Sequence, residues 1–272
     1  MSSDAWTEGS IGANGVSLHY HRTGGDKPPM IMLHGINDNG LCWTPVAKKL
    51  EDDFDIIMLD QRGHGKSIAP EMEFGLELLA DDVAVLIKEL DLHEPVLLGH
   101  SLGGQVATVT AGKYPTIVSK IMLEDPAYFL NKALKAFVKL AIPLFLRIAR
   151  KNDKKTIDQI KVSCKKGHPS WSDDEIAPWA VAQKDFSRNA KTVKIGKIDL
   201  DIDWYDIFSK ITCPVLLIIP SNGILRLHAA QKLKPCFGST RVDIAYIPGA
   251  GHSVRREQFE KFMDAVKSFC LG

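Results

Sequence analysis

The sequence predicts an α/β protein, a mostly parallel sheet flanked by helices, with a helical cap inserted after the sixth strand. Three observations carry this expectation. Short apolar runs alternate with amphipathic stretches along most of the chain. A G-x-S-x-G segment lies between one such run and a helix-forming stretch. The alternation then stops between about residues 127 and 206. Compact apolar runs bounded by Gly, Pro or polar residues are what strands buried on both faces look like, and their alternation with helices implies parallel pairing.

Taken in order, Asn14-Gly15 sits between two short strand-like segments and reads as a two-residue hairpin turn. Strand candidates follow at 30–33, 55–59, 96–98, 120–123, 215–219 and 241–247. Between them, Leu79, Val83, Leu86, Ile87 and Leu90 recur at helical spacing, with Asp81, Asp82 and Lys88 elsewhere on the turn. Residues 105–112 and 257–269 repeat the helical pattern, the latter through Phe259, Phe262, Met263, Val266 and Phe269. From 127 to 206 the chain reads as helical and basic, without a good strand candidate. These residues are therefore expected to form the cap, and 1–126 with 207–272 the core.

Composition narrows the function classes. The 272 residues carry 34 Lys+Arg against 33 Asp+Glu, a net +1, which argues against a polybasic nucleic-acid binder and against an acidic disordered chain. Cys42, Cys164, Cys213, Cys236 and Cys270 are far apart and form no C-x-x-C pair, so free thiols are expected and a structural zinc is not. The N-terminus shows neither a basic n-region nor an apolar h-region. The apolar stretch 137–149 is too short, and too interrupted by Lys139, Pro143 and Arg147, to span a bilayer. A cytoplasmic location is the expectation.

The segment with the strongest chemical content is 96–104, VLLGHSLGG. A serine on so sharp a strand-to-helix turn must take a strained backbone, and the flanking glycines leave room for it. Ser101 is thereby held at a helix N-terminus, where N–H groups and the helix dipole favour negative charge. With this motif on the page, the chain resembles the α/β-hydrolases. Leu33-His34-Gly35 resembles the family's oxyanion loop, residues 60–67 (DQRGHGKS) its D-x-R-G-x-G-x-S segment, and 248–252 (PGAGH) its histidine loop. The four motifs occur in the family's order and cover nearly the whole chain.

The resemblance implies roles. Ser101 would be the nucleophile, and backbone N–H groups of Leu102 and Ile36 the oxyanion donors. Nine histidines are present, and His252 alone lies in a Gly-rich loop between a terminal strand and the last helix, where a base following the acid in chain order belongs. His34 is expected to shape its loop, His100 to pack beside the nucleophile, and His64 to belong to the structural D-x-R-G-x-G segment.

The acid is where the sequence departs from the family. After the strand at 215–219 the chain continues PSNGILR, without Asp or Glu, and Gly223 falls about where the usual Asp would be. The alternative is the end of the strand at 120–123, where Glu124 and Asp125 follow. Haloalkane dehalogenases and certain lactonases resemble this placement. Asp125 lies 24 residues after Ser101, the offset found in those relatives. Strand alternation sends Glu124 and Asp125 to opposite sides. Asp125 is the expected acid and Glu124 the alternative.

Residues 131–166 carry eleven cations and two acids, a net +9, leaving −8 for the rest of the chain. At helical spacing, Lys132, Lys135, Lys139, Arg147, Arg150 and Lys154 share one face, opposite an apolar face of Leu130, Leu134, Phe137, Ala141, Leu144, Phe145 and Ile148, and Pro143 should kink the helix. The apolar face is expected to roof a hydrophobic pocket. The basic face is expected to be solvated, with peripheral membrane contact or an acidic partner as the alternative. Trp171, Trp179, Trp204 and Tyr205 flank the cap and either line the pocket or pack cap against core.

The expected function is a cofactor-free, metal-free serine hydrolase of carboxylic esters or lactones, an N-acyl homoserine lactone being one candidate substrate. The alternatives are a C–C bond hydrolase or thioesterase on the same triad, or a non-catalytic ligand-binding relative. A haloalkane dehalogenase is disfavoured, because position 101 is Ser where those enzymes carry Asp. No nucleic-acid partner is expected.

Overall fold

Asn14 and Gly15 both adopt positive φ, 42° and 82°, the conformation a tight hairpin turn requires. They join β1 (Thr7–Ala13) to β2 (Val16–Arg22) in an antiparallel ladder. The computed structural model that shows this describes residues 6–68, 71–128, 147, 149–192, 194–199, 202–239 and 241–272. The apolar runs then appear as β3 (Pro29–Leu33), β4 (Asp55–Leu59), β6 (Val96–His100), β7 (Lys120–Glu124), β9 (Val215–Asn222) and β10 (Val242–Gly251). With the hairpin they form an eight-stranded sheet in the order β1-β2-β4-β3-β6-β7-β9-β10. From β4 through β10 neighbouring strands are parallel; β2 is antiparallel to both β1 and β4.

Because side chains alternate along a strand, each parallel strand feeds two cores. Ile31, Leu33, Ile57, Leu59, Leu97, Leu217 and Ile219 point to one face, and Met30, Met32, Ile56, Met58, Leu98, Leu216 and Ile218 to the other. The first face is covered by α2 (Leu76–Glu89), α3 (Leu102–Lys113) and α6 (Trp204–Lys210), the second by α1 (Thr44–Leu50) and α9 (Phe259–Leu271). Leu79, Val83, Leu86 and Ile87 are the buried stripe of α2 that the spacing predicts. Each such side chain contributes roughly 1.5–3 kcal/mol by leaving water. A short helical turn, α8 (Val254–Glu257), precedes α9, so the last helix begins later than its pattern suggests.

Two strands depart from the expectation. β5 (Glu71–Gly75) and β8 (Lys194–Asp199) pair in parallel as a separate two-stranded sheet. A strand therefore occurs within 127–206, where only helix was expected. Neither sequence, EMEFG or KIGKID, has a continuous apolar run. The pairing lies outside the main sheet, which is why apolar content does not reveal it. The added strand also makes the strand at 120–124 the seventh, β7.

The residues expected to form the cap include α4 (Ile157–Gly167) and the 20-residue α5 (Asp173–Thr192). Thr156 opens α4 with reciprocal bonds: its hydroxyl accepts from Gln159 N–H and its own N–H donates to Gln159 Oε1. Trp171 is buried and packs edge-on against Trp179, while Trp204 packs on Tyr128 and Phe208. Trp171 and Trp179 thus pack within residues 149–192, with the Arg256 guanidinium over the Trp171 ring, while Trp204 belongs to the main core; Tyr205 is exposed. The amphipathic stretch 130–148, with its basic and apolar faces and Pro143, lies outside the described residues except for Arg147, which is exposed. Among the described residues no helix is long and apolar enough to cross a membrane.

Candidate active site

The turn between β6 and α3 forces close approach at two glycines. A Cβ at Gly99 would collide with the Gly103 backbone, and one at Gly103 with the Leu33 carbonyl of the neighbouring strand. Between them Ser101 takes φ 51° and ψ −109°, a region unfavourable for a side-chain-bearing residue by about 1–3 kcal/mol. Two bonds hold it there: Ser101 N–H donates to Glu124 O at 3.0 Å, and its carbonyl accepts the first helical bond from Gln105 N–H at 3.1 Å. Leu102 opens α3, so its N–H is among those with no intrahelical acceptor.

The loop after β3 is built with equal care. Gly35 has no space for a Cβ, which would meet the His100 ring at 2.8 Å and Ser101 Cβ at 3.6 Å. His34 donates from Nδ1 to Gly35 O at 2.8 Å and accepts Gln61 N–H on Nε2 at 3.1 Å. Its ring is fully buried and burial lowers its pKa, so it stays a neutral loop-shaping group, as expected. A turn bond from Asp38 N–H to Gly35 O, 3.0 Å long, spans Ile36. Ile36 is 41% exposed, between the buried Gly35 and the half-buried Asn37.

Asp60 anchors the segment behind this loop. It accepts from Gly40 N–H at 2.7 Å and Lys66 N–H at 2.9 Å, and Gly65 has φ 49° where a Cβ would strike its carboxylate. Arg62 forks onto Asp82 with two 2.7 Å bonds. His64 stacks on Phe186 of the cap, and burial depresses its pKa to about 3.

At the ends of β7 and β10 the structure brings Asp125 and His252 together. His252 Nδ1–H donates to Asp125 Oδ2 at 2.6 Å, which turns Nε2 into the acceptor. Asp125 is fully buried and also accepts Ile224 N–H and Leu225 N–H, each at 2.8 Å. Its backbone is left-handed, φ 39°. Glu124 goes elsewhere: it accepts Arg255 N–H at 2.9 Å and the Arg255 guanidinium at 2.8 Å. The two adjacent carboxylates therefore have separate partners, and only Asp125 meets the histidine.

Two features escaped the sequence. His100 does more than pack: its Nε2–H donates to the His252 carbonyl at 3.0 Å, with the two rings 4.7 Å apart. Burial, then the nearby Arg255, holds its pKa well below the usual value, so it acts as a neutral prop for the His252 loop. Second, Arg255 and Arg256 converge on Asp38 at 3.2 and 3.0 Å, and Arg256 reaches Glu175 of α5 at 3.2 Å. Burial opposes the charge on Asp38, yet Arg256 and Arg255 together outweigh it and hold its pKa below the usual carboxylate value. At Glu175 burial prevails and raises the pKa. The adjacent arginines after His252 are the visible trace of this network; their partners lie more than 80 residues away in sequence.

The strained Ser101 turn, the Gly35 loop beside it and the buried Asp125 carboxylate on His252 make up the candidate site, in the arrangement an α/β-hydrolase fold offers. Comparison with known proteins agrees. A family model described as the alpha/beta hydrolase fold matches residues 28–155. The chain is 28% identical to 2-(acetamidomethylene)succinate hydrolase of Mesorhizobium japonicum, across 99% of this chain and 97% of that one. It is 26% identical to N-formylmaleamate deformylase of Pseudomonas putida, across 96% and 95%. The crystal structure of an E-2-(acetamidomethylene)succinate hydrolase superposes with a TM-score of 0.78 at 24% identity, covering 98% of this chain and all of that one. The chain has the α/β-hydrolase fold.

Proposed function

We propose that the chain is a serine hydrolase of carboxylic esters or lactones that works through an acyl-enzyme. The observation that carries this is the 2.6 Å His252–Asp125 bond, together with a serine held at φ 51° whose neighbour His100 is bonded to the His252 carbonyl. In this reading Ser101 Oγ attacks the carbonyl carbon while His252 Nε2 takes its proton. The tetrahedral oxyanion is received by the N–H groups of Ile36 and Leu102, and the C–O bond breaks as His252 returns the proton to the leaving alkoxide. A water, deprotonated by His252, then attacks the acyl carbon and frees Ser101. Buried Asp125 fixes the imidazole tautomer and stabilises the imidazolium.

A second reading is favoured by the relatives. One is named a deformylase of an N-formyl compound, and both names describe carboxylate-bearing substrates. Acyl–nitrogen cleavage uses the same residues, with the leaving nitrogen taking the proton. The net +9 of residues 131–166 suits a small anionic substrate. The five cysteines are all free thiols, which supports a reducing, cytoplasmic location.

The test is a panel of p-nitrophenyl esters, lactones and N-formyl amides, neutral and carboxylate-bearing, run on wild type and Ser101→Ala. Fluorophosphonate labelling accompanies it. Wild type should label and turn over at least one class, and Ser101→Ala should do neither. Equal labelling of Ser101→Ala would reject the nucleophile.

A further inference from the structure

The edge hairpin gathers three ligand-type side chains at a place separated from β6 and Ser101 by β4 and β3. The β1–β2 register sets Glu8 directly opposite His21. His19, two residues earlier on β2, shares His21's face of the sheet. The two rings meet edge to face with centroids 4.8 Å apart. Glu8 Oε2 lies 3.3 Å from His19 Nε2 and 4.0 Å from His21 Nδ1. One ligand atom from each residue falls within 4.8 Å of the other two.

That spacing is close to a coordination sphere. Ligands about 2.0–2.1 Å from a tetrahedral ion are about 3.3–3.4 Å apart, so the His19–Glu8 edge already has the required length. The two His21 edges must close, by under about 1 Å toward Glu8 and by up to about 1.5 Å toward His19, and rotation of the half-buried His21 ring together with the exposed Glu8 side chain would supply it.

His19 is also built to present its nitrogen. Its Nδ1 lies 3.0 Å from Asp60 Oδ2, and Asp60 is buried and held by the Gly40 and Lys66 N–H groups. With Nδ1–H donated to that carboxylate, the Nε2 lone pair faces Glu8. The His19 backbone N–H donates to Ser67 Oγ at 2.7 Å, fixing the strand beneath it. A carboxylate–histidine pair aimed outward in this way is how metal-ligating histidines are oriented. The position already attracts a cation: the Lys66 ammonium donates to Glu8 Oε2 at 2.7 Å from an exposed side chain.

We propose that Glu8, His19 and His21 form a binding site for a divalent transition-metal ion, with zinc the best match, which cross-links β1 to β2 and through Asp60 to the segment after β4. Two imidazoles and one carboxylate suit zinc; magnesium and calcium prefer all-oxygen sites. A water would complete the sphere. Cysteine spacing gives no hint of it, since the donors are assembled by cross-strand register.

Titration of the tag-free, full-length chain with zinc chloride by calorimetry should show one site, absent with magnesium. Cobalt substitution should give visible d–d bands without a thiolate charge-transfer band, which separates this site from the free cysteines. Glu8→Gln and His21→Asn should each weaken zinc binding roughly tenfold or more, by loss of one ligand. Lys66→Met should do the opposite and tighten binding, because it removes the competing ammonium. Far-UV circular dichroism would show that the variants fold, and His19→Asn is avoided because it also breaks the Asp60 bond. The proposal fails if the folded wild type takes up no zinc, if affinity is unchanged in Glu8→Gln and His21→Asn, or if the cobalt form shows a thiolate band.

Discussion

The carboxylate of Asp125 occupies the space that a side chain at residue 223 would need. A Cβ built on Gly223 would overlap Asp125 Oδ2. The missing acid after β9 and the acid after β7 are thus one structural fact, two ways of delivering a carboxylate to the same histidine. Gly223→Ala is therefore expected to displace Asp125 and lower activity, while Asp125→Asn should lower turnover by up to about 10⁴-fold. Gly223 does not have positive φ, so once Asp125 is removed an aspartate there requires only that the Pro220 ring, whose Cγ would lie 2.4 Å from the new Cβ, give way. The double variant Asp125→Ala/Gly223→Asp should recover part of the activity lost in Asp125→Ala. Full activity in Gly223→Ala, measured on the best ester of the panel, would remove the argument.

Glu124 should fail differently. It is fully buried and bonded to Arg255, which is itself fully buried and stacked over Trp43 at 4.2 Å. Glu124→Gln leaves the buried Arg255 guanidinium with Asp38 alone as counter-charge, one it shares with Arg256, a loss expected to cost up to about 3–5 kcal/mol of stability. Urea unfolding should show the lower midpoint, while the pH dependence of kcat in the surviving fold stays that of wild type. A shifted kcat profile with unchanged stability would reverse the assignments of the two carboxylates.

Much of this was legible in the sequence because it is local. The Gly99–Gly103 spacing around Ser101, the Asn14-Gly15 turn and the period of α2 are each written within a dozen residues. The Glu124–Asp125 choice was half legible: strand alternation separates the two side chains without saying which meets the histidine. The left-handed backbone of Asp125 and its two N–H donors from Ile224 and Leu225 decide that in the structure, and they come from about a hundred residues away. The same distance hid the Asp38–Arg256–Glu175 ties and the role of His100. β5 and β8 were missed for another reason: their apolar residues, Met72 and Phe74 in register with Ile195 and Ile198, alternate over too few positions to be read without the pairing.

The cap is tied to the oxyanion-type loop itself. Gln183 of α5 donates its side-chain amide to Asn37 O at 2.9 Å, one residue beyond Ile36. Gln183→Leu keeps the bulk and removes the donor. Loss of one such bond is modest in stability, about 1 kcal/mol. Its effect should fall on kcat, because a misplaced N–H donor harms the transition state more than the bound substrate. A several-fold fall in kcat with KM little changed is expected, with Gln183→Asn recovering less than wild type for want of reach. A rise in KM alone would place Gln183 in substrate binding instead.

Acid sensitivity follows from histidines buried in neutral form. Burial lowers the pKa of His34, His64 and His100, with His64 at about 3. A histidine whose folded pKa lies below its unfolded 6.5 binds its proton more readily in the unfolded chain. Its contribution is thus fully present above about pH 6.5 and is lost as pH falls from there toward the folded value. Each such group should tilt stability by up to about 1.4 kcal/mol per pH unit in that window. Asp82 and Glu175, raised by burial, tilt the other way nearer their own range, so the cleanest reading is a difference. Urea midpoints of wild type and His64→Gln, compared from about pH 7 down to about pH 5, should converge as pH falls, because the variant no longer has that proton to bind. Parallel profiles would mean that His64 titrates normally and that its stack on Phe186 does not keep it dry.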